Sequence, residues 1–348
     1  MVAPRPAGPA AVRRARARAQ LLAGRGARRP AEVVAQLLAV QAQDLRAARL
    51  ALRARGVHSA AEIDAALTQE RSIVRTWGNR GTLHLVGAED LPWLLALTAP
   101  TWEATSRTRL GQLGVDEAAG RRAVRVIDRV LAEEGPLTRE QLTARLAGAG
   151  LPTGGQAAIH LLSLAGRRGV AVLGPVTGAG DQAFARTADW LGFASPPRGP
   201  DRPVALAELA RRYLRGHGPA DEGDLARWSG LSVGDARAGL DAAGPAPAPA
   251  GSMARLGARL LGAFDPYLLG WRDRSFAVAP ADAALVHPGG GILRAVAIDD
   301  GKVVATWRRT AGRVALEPFA PLGERLEAAL SREAAAVARF EDSGLTAR

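Results

Sequence analysis

The sequence predicts an α+β protein. Tandem winged-helix (helix-turn-helix) units precede a small β-rich, barrel-like domain and a C-terminal helix. Helical periodicity from residue 31 to residue 67 is followed by two β-rich runs around a Gly-containing turn. A Gly-Pro motif with a helix cap and a leucine occurs twice in the middle of the chain. Beyond a Pro-Ala segment at 243–251, the pattern changes to short strands joined by Gly and Asp turns.

The first two segments are a basic arm and a winged helix. Residues 1–30 are rich in arginine and contain no acid, which predicts a loose N-terminal arm with a short helix from Arg13 to Leu22. Residues 31–100 are predicted as winged helix 1, with helices from about 31, 45 and 59. The stretch "IVRTWGNRGTLHLV" (73–86) then predicts its hairpin wing. The apolar face of the first of these helices consists of Val33, Val34, Leu37 and Leu38.

The internal repeat predicts two further winged helices. "GPLTREQLTARL" begins at Gly135 and "GPADEGDLARWS" begins at Gly218, and each is flanked by apolar helical patterns. In the first copy, Thr138 and Gln141 fit a capping box. "GVAVLGP" and "QAFART" follow this copy as two strands of a second wing. Winged helix 2 is therefore expected over 101–198 and winged helix 3 over 199–250, where the wing is less clear.

The last segment, 251–348, is predicted as the β-rich domain with its C-terminal helix. "IDDGKV" within a strand-like run predicts a hairpin, and helical periodicity runs from about Gly323 to Phe340. "HPGGGIL" is Gly-rich, and we expect a turn between strands there rather than a phosphate-binding nest.

The charge of the chain favours a polyanionic partner. The 348 residues carry a net charge of +12, almost entirely from arginine, because Lys302 is the only lysine. Such a balance favours nucleic acid, here double-stranded DNA, over the alternative of a solvated basic surface. Tandem DNA-binding units make dimerisation unnecessary, so a monomer is expected. The absence of cysteine and of any long apolar run predicts a cytoplasmic, nucleoid-associated protein without a membrane partner.

Motifs of several enzyme classes are missing from the sequence. The five histidines are far apart, and none forms a ligand-spaced pair, so no metal site is expected. There is no P-loop, no dinucleotide fingerprint and no GxSxG elbow, and no cofactor is expected.

The two predicted wings supply candidate DNA contacts. A winged helix usually places its third helix in the major groove and its wing near the backbone or minor groove. Arginine can neutralise phosphate, and tryptophan can stack or wedge. For Trp77 and His84, packing inside the hairpin is the alternative. The candidates are Arg71, Arg75, Trp77, Arg80, His84, Arg167 and Arg168.

The stretch "VQAQD" interrupts an apolar helical pattern. If the helix continued, Gln41 would lie on its buried face and Gln43 on roughly the opposite side. If the backbone is extended across 41–43, both side chains point the same way, and Asp44 can cap a helix that begins at Leu45. From geometry alone, two interpretations stay open, a functional pair or polar residues of a loop.

Several stretches together resemble the bacterial winged helix DNA-binding domain family that contains the AlkZ and YcaQ DNA glycosylases. The resemblance runs from about residue 12 to residue 340, and the block "RTWGNRGTLHL" is distinctive. It implies tandem winged helices with a β-rich domain, and monofunctional excision of alkylated bases from DNA. The stretches are "VQAQDLRAARLALRAR", "VRTWGNRGTLHLVGAEDLPWLL", "RRYLRGHGPADEGDLARWSGL", "FDPYLLGWRDR" and "GKVVATWRR".

The resemblance also implies catalytic residues. AlkZ-like members carry a Gln-apolar-Gln motif, whereas YcaQ-like members have Asp at the second Gln position. Gln41, Ala42 and Gln43 match the AlkZ-like version. We expect Gln43 to position the attacking water and Gln41 to orient that water or the sugar. Asp265, in "FDPYLLGWRDR", is a reserve candidate for a charged group in the cleft, although Asp before Pro is also a common turn starter.

The expected function is that of a monofunctional DNA glycosylase. Its substrates would be alkylated purines, in particular bulky or crosslinking N7-alkylguanine adducts, and AlkZ-like members are linked to self-resistance against DNA-alkylating natural products. With Lys302 the only lysine, hydrolysis without β-elimination is expected. One alternative is a non-catalytic winged-helix DNA-binding protein or transcriptional regulator. Another is a protein-binding scaffold, which the charge disfavours.

Overall fold

A computed structural model describes residues 8–24, 26–177, 181–193, 199–244, 255–310 and 312–343. The helices are α1 (Pro9–Ala19), α2 (Pro30–Leu37), α3 (Leu45–Arg53), α4 (Ala60–Thr68), α5 (Leu91–Gln112), α6 (Glu117–Glu134), α7 (Arg139–Gly148), α8 (Ala157–Arg167), α9 (Thr187–Leu191), α10 (Arg202–His217), α11 (Glu222–Ser229), α12 (Val233–Ala243), α13 (Pro266–Leu269), α14 (Ala283–Val286) and α15 (Glu324–Ser343). The strands are β1 (Val40–Gln41), β2 (Ile73–Trp77), β3 (Leu83–Gly87), β4 (Ala171–Val176), β5 (Gln182–Arg186), β6 (Arg259–Leu261), β7 (Val296–Asp299), β8 (Lys302–Thr310) and β9 (Arg313–Pro318). Residues 1–7 and 25 of the predicted arm and most of the Pro-Ala segment lie outside the described residues.

The chain forms two compact units. The first consists of Met1–Ile63, Ala207–Trp228 and Ser232–Arg348, and the second of Asp64–Leu206 and Ser229–Leu231. The boundaries predicted at residues 100 and 198 are not boundaries of these units. The hairpin of the predicted winged helix 1 belongs to the second unit, because β2 pairs with β4 of the next predicted segment, Arg75 opposite Leu173.

Both predicted wings form antiparallel hairpins in the second unit. In the first wing Val74 lies opposite Val86, and in the second Val172 lies opposite Ala185. Pairing of β2 with β4 joins the hairpins into one sheet, in which β3, β2, β4 and β5 are neighbours in that order. Helix α8 packs closely on this sheet, because a Cβ added at Gly166 would lie only 2.5 Å from the Trp77 ring.

The order of elements from α6 to β5 is the one that the prediction of winged helix 2 requires. Three helices precede the hairpin, and Leu137 joins the sheet by exchanging two backbone hydrogen bonds with Phe184, of 2.9 and 2.7 Å. The capping box predicted at α7 is present, with Thr138 and Gln141 bonded reciprocally. The buried α-helical face includes Ile127, Leu142 and Leu161. The tandem winged-helix arrangement stays a prediction.

The first unit contains an open sheet and not a barrel. Strands β6, β7, β8 and β9 follow one another in that order, and no closing pair between β6 and β9 is present in the described residues. Helix α15, which the sequence predicts well, instead packs against both of these edge strands. It buries Leu330, Val337 and Phe340. The prediction of a barrel-like domain is corrected for a physical reason. Helix α15 covers the sheet, so its strands do not have to close into a barrel to be shielded.

The basic helix α1 belongs to the core of the first unit. Arg14 forms a bidentate pair with Asp300, with distances of 3.0 and 2.8 Å, and Arg16 pairs with Asp224 at 3.2 Å. The Arg16 guanidinium also lies 4.8 Å from the Trp271 ring centroid. These arginines therefore hold the fold together and are less available for phosphate than a free arm would be.

Candidate active site

The Gln-Ala-Gln segment lies between two helices on an unwound stretch of backbone. Helix α2 ends at Leu37, and the φ of 65° and ψ of −41° of the next residue, Leu38, are incompatible with a continuing right-handed helix. The chain then runs extended through β1, and α3 begins at Leu45. The helix therefore does not continue through residues 41–43, and this interruption is what the sequence requires if Gln41 and Gln43 are to act together.

Burial alternates along this segment. Val40 and Ala42 are fully buried, Gln41 is half-buried and Gln43 is exposed. The strand covers Val40–Gln41, and the chain bends at Gln43. Both glutamines are more exposed than the buried Val40 and Ala42.

Asp44 caps the following helix. Its carboxylate accepts hydrogen bonds from the backbone N–H groups of Arg46 at 2.8 Å and Ala47 at 3.3 Å. These are two of the N–H groups that the first turn of a helix leaves without a partner. Asp44 therefore fixes the backbone immediately after Gln43, as the sequence predicts.

Helix α10 clamps α2, the helix that precedes the Gln-Ala-Gln segment. Arg212 and Arg215 donate hydrogen bonds to the Ala35 carbonyl at 3.2 and 3.4 Å, which satisfies a carbonyl of the last turn of α2. Gln36 donates to the Arg215 carbonyl at 2.9 Å. At the point of contact a Cβ on Gly216 would lie 2.4 Å from the Gln36 carbonyl oxygen. Sequence reasoning missed this clamp, because no local pattern links residues so far apart in the chain.

Asp265, the reserve candidate for a charged group in the cleft, has a structural role instead, which corrects that prediction. Its carboxylate is fully buried and receives two hydrogen bonds from Arg55, at 2.8 and 3.0 Å, and one from the Tyr267 backbone N–H at 2.9 Å. Arg55 also donates to Gln20 at 2.9 Å. Both oxygens of this carboxylate accept hydrogen bonds from protein groups, so the carboxylate is not presented to a substrate. Burial of the charge without such partners would cost several kcal/mol.

The predicted DNA contacts fall into two groups, four residues that are at least partly exposed and three that are buried. Arg71 is exposed and stacks on Trp190, with 4.1 Å between guanidinium carbon and ring centroid. Arg75 is half-buried and donates to Gln182 at 3.2 Å. Arg80, in the short turn between β2 and β3, and Arg168, just after α8, are also half-buried. These four arginines retain surface that could meet a phosphate.

The other three predicted contacts are buried. Trp77 is 5% exposed and stacks on Phe184, with 6.1 Å between ring centroids. His84 is 4% exposed, and its Nδ1 donates to the Thr82 carbonyl at 3.0 Å. Burial lowers the pKa of His84 to about 4, which keeps the ring neutral. Arg167, at the end of α8, is 5% exposed. Trp77 and His84 are therefore packed inside the protein, which is the alternative that the sequence left open for them, and Arg167 is buried as well.

Neither a metal cluster nor a membrane-spanning helix is found in the described parts of the chain. Among those residues, no three His, Asp or Glu side chains lie close enough together to hold a metal ion. The helices there are also too short or too polar to cross a bilayer.

Comparisons with known proteins identify the family. The family model described as DNA glycosylase AlkZ-like matches residues 34–340. The interstrand DNA cross-link repair glycosylase of Streptomyces sahachiroi is 30% identical, over 88% of this chain and 90% of the relative. The solved structure of Streptomyces sahachiroi DNA glycosylase AlkZ matches with a TM-score of 0.79 at 26% identity, covering 96% of each chain. The chain belongs to the AlkZ-like family of DNA glycosylases.

Proposed function

We propose that this DNA glycosylase hydrolyses the N-glycosidic bond of purines alkylated at N7, in particular bulky or crosslinking N7-alkylguanine adducts. The observation that carries the proposal is the pair of neutral amides, Gln41 and Gln43, at the more exposed positions of the non-helical segment between α2 and α3. An amide is a weak base, so it suits a substrate whose leaving group is already activated. A purine alkylated at N7 is cationic and meets that requirement.

The proposed roles of the glutamines follow from the charge that develops in the reaction. As the bond breaks, the sugar becomes an oxocarbenium ion and needs a nearby dipole and an aligned water. In our proposal the carbonyl oxygen of the Gln43 amide accepts a hydrogen bond from the attacking water. Gln41 orients the same water or the sugar. The Asp44 cap and the α10 clamp keep both backbones in place, which is the preorganisation that such catalysis needs.

The proposed reaction is monofunctional. Cleavage of the strand by β-elimination usually proceeds through an imine with an amine of the enzyme. The one lysine side chain, Lys302, is exposed at the start of β8, on the β7–β8 hairpin. Hydrolysis should therefore leave an abasic site in an unbroken strand.

The proposed biological setting is repair of damage from a DNA-alkylating natural product. The printed name of the Streptomyces relative refers to repair of interstrand DNA cross-links. We propose the same class of lesion here, with a monomer acting on double-stranded DNA at the nucleoid. Tandem winged helices would grip the duplex, with backbone contacts from Arg71, Arg75, Arg80 and Arg168. The net charge of +12 supports this binding.

Base release from defined duplexes tests the proposal. The wild-type protein is incubated with duplexes carrying N7-methylguanine, a bulky N7-alkylguanine or an N7-linked crosslink, and the released base is identified by mass spectrometry. We expect free alkylated base, an alkali-labile strand and no adduct after borohydride treatment. Binding without release from any of the three would support a regulator instead. A borohydride-trapped adduct would contradict the monofunctional mechanism.

A further inference from the structure

One turn of the first unit carries exposed apolar side chains that neither its core nor the proposed catalytic pair uses. We call residues 285–294 the glycine turn. Leu285 is 46% exposed and Ile292 is 51% exposed. In the parts of the chain that the structure describes, the other large apolar side chains this open are Val204 and Val233. A single exposed aliphatic side chain is normal on a protein surface, whereas two on one turn indicate a contact surface.

Hydrogen bonds make the glycine turn stiff. The Arg294 backbone N–H donates to the Val286 carbonyl at 3.0 Å, which closes the base of the turn. The Ile292 N–H donates to the Gly289 carbonyl at 3.0 Å, and the Ile292 carbonyl accepts from His287 Nδ1 at 2.6 Å. Both backbone groups of Ile292 are therefore fixed. Its β-branched side chain also has little rotamer freedom.

The glycines at the tip of this turn leave bare backbone beside Ile292. Gly289, Gly290 and Gly291 have φ values of 99°, 60° and 76°, which side chains rarely tolerate. A Cβ added at any of the three would meet no atom within 4 Å. The tip is thus free of side chains for reasons of conformation and not of packing.

A short series of contacts connects the glycine turn to the helix that follows the catalytic segment. Leu293, next to Ile292, is buried in the core of the first unit, and its carbonyl accepts from the Phe264 N–H at 3.4 Å. Two residues earlier, Gly262 packs on the first turns of α3, where its Cβ position lies 3.1 Å from the Ala47 carbonyl and from Leu50. The turn and the Gln-Ala-Gln segment are thus parts of the same body.

The chemistry of the tip fits a base stack better than a protein surface. Stable protein interfaces bury about 800 Å² on each partner, far more than two aliphatic side chains supply. Proteins that open a duplex instead insert single aliphatic or aromatic wedges between base pairs. Arg294, exposed at the base of the turn, can pair with a phosphate beside such an insertion.

We propose that Ile292 is the wedge that enters the base stack beside the lesion. The proposal rests on the proposed glycosylase function and adds the step that gives the catalytic pair access to a stacked base. The glycosidic carbon of an intact duplex is enclosed, so opening the stack costs free energy that an inserted side chain recovers. Ile292 keeps the gap open while Gln41 and Gln43 act on the sugar.

Two readouts test the wedge independently of the catalytic assignment. The first is fluorescence of 2-aminopurine placed next to a hydrolysis-resistant 2′-fluorinated N7-methylguanine in a duplex, which reports unstacking without excision. The second is base release from non-fluorinated N7-methylguanine in duplex and in single-stranded DNA. The variants are Ile292→Ala, the conservative Ile292→Leu, and the matched control Val204→Ala, another exposed aliphatic side chain.

The wild type and Val204→Ala should raise the fluorescence, and Ile292→Ala should lose most of the rise. Ile292→Ala should also excise from duplex DNA about tenfold or more slowly, with single-strand activity kept and Ile292→Leu largely rescued. The proposal is overturned if the wild type causes no rise in fluorescence, or if Ile292→Ala opens the duplex as well as the wild type does. Equal loss on duplex and single strand, or a change in oligomeric state, would also overturn it. If the wild type opens the duplex but releases no base, the glycosylase proposal fails and the wedge stands.

Discussion

Gln41 and Gln43 lie two residues apart in the non-helical segment between α2 and α3, where both are more exposed than the buried Val40 and Ala42. This relationship depends on two interruptions of helical structure, the positive φ of Leu38 and the cap at Asp44. A helix through the same residues would separate the two amides by about 200° around its axis.

Replacing Asp44 by alanine should destabilise the protein by about 1 kcal/mol, because α3 loses the acceptor for two backbone N–H groups. Excision should also slow, since the first turn of α3 follows Gln43 directly. Urea unfolding and base-release rates measure the two effects. Asp44→Asn is the matched control and should keep both, because Asn caps as well as Asp does. Equal loss in both variants would mean that the charge of Asp44, and not its cap, matters.

Replacing Gly216 by alanine should disturb the catalytic segment from the side of α10. The new Cβ would lie 2.4 Å from the Gln36 carbonyl oxygen and 3.3 Å from the Leu37 Cα, so backbone must shift. We expect a loss of about 1–3 kcal/mol in urea unfolding, with slower excision by the folded protein. Gly148→Ala, in α7, meets no atom within 4 Å and should be neutral or slightly stabilising. A neutral Gly216→Ala would show that the contact with α2 is loose.

Replacing Asp265 by asparagine tests whether this residue is structural or chemical. The variant leaves Arg55 buried without its anionic partner, which should cost about 3–5 kcal/mol of stability. Excision per folded molecule and its pH profile should stay close to those of the wild type. Thermal or urea unfolding gives the first quantity, and base release under fully folded conditions gives the second. A changed pH profile of excision with unchanged stability would instead indicate that Asp265 has a chemical role.

Burial of His84 should make the protein acid-sensitive. Desolvation lowers the pKa of this imidazole from 6.5 to about 4, against the opposing effect of its hydrogen bond to Thr82. Below pH 6.5 the unfolded chain takes up a proton that the folded protein does not, so stability is complete above that pH and is lost as the pH falls towards 4. The loss should reach about 3 kcal/mol.

Urea unfolding between pH 7.5 and pH 4.5 measures this loss. His84→Asn, which can still donate to the Thr82 carbonyl, should flatten the pH dependence relative to the wild type. An unaltered slope in His84→Asn would place the acid sensitivity in other groups.

Local patterns predicted most of the individual elements. Helices α3, α8 and α15 and the hairpins β2–β3, β4–β5 and β7–β8 occur where periodicity and turn residues place them. The Asp44 cap was also predictable, because capping is a property of neighbouring residues. The long helix α5 was not foreseen, since its apolar residues show no clear face and Pro100 lies within it.

Long-range relationships could not be predicted from the sequence. The arginines of α1 look like a free basic arm until Asp300 and Asp224 are seen beside them. Asp265 looks like a candidate for chemistry until Arg55 is found 2.8 Å away. Pairing of β2 with β4 likewise moves a predicted wing into another unit. In each case the partner lies far away in the sequence and leaves no local signal.

The central claim is that the Gln43 amide positions the water that breaks the glycosidic bond. The most direct measurement is single-turnover base release from an N7-alkylguanine duplex by the wild type, by Gln43→Ala and by Gln69→Ala, which removes an exposed glutamine at the end of α4. Gln43→Ala should lose about a hundredfold or more in rate with unchanged duplex binding and stability, and Gln69→Ala should match the wild type. Wild-type rates in Gln43→Ala would contradict the account.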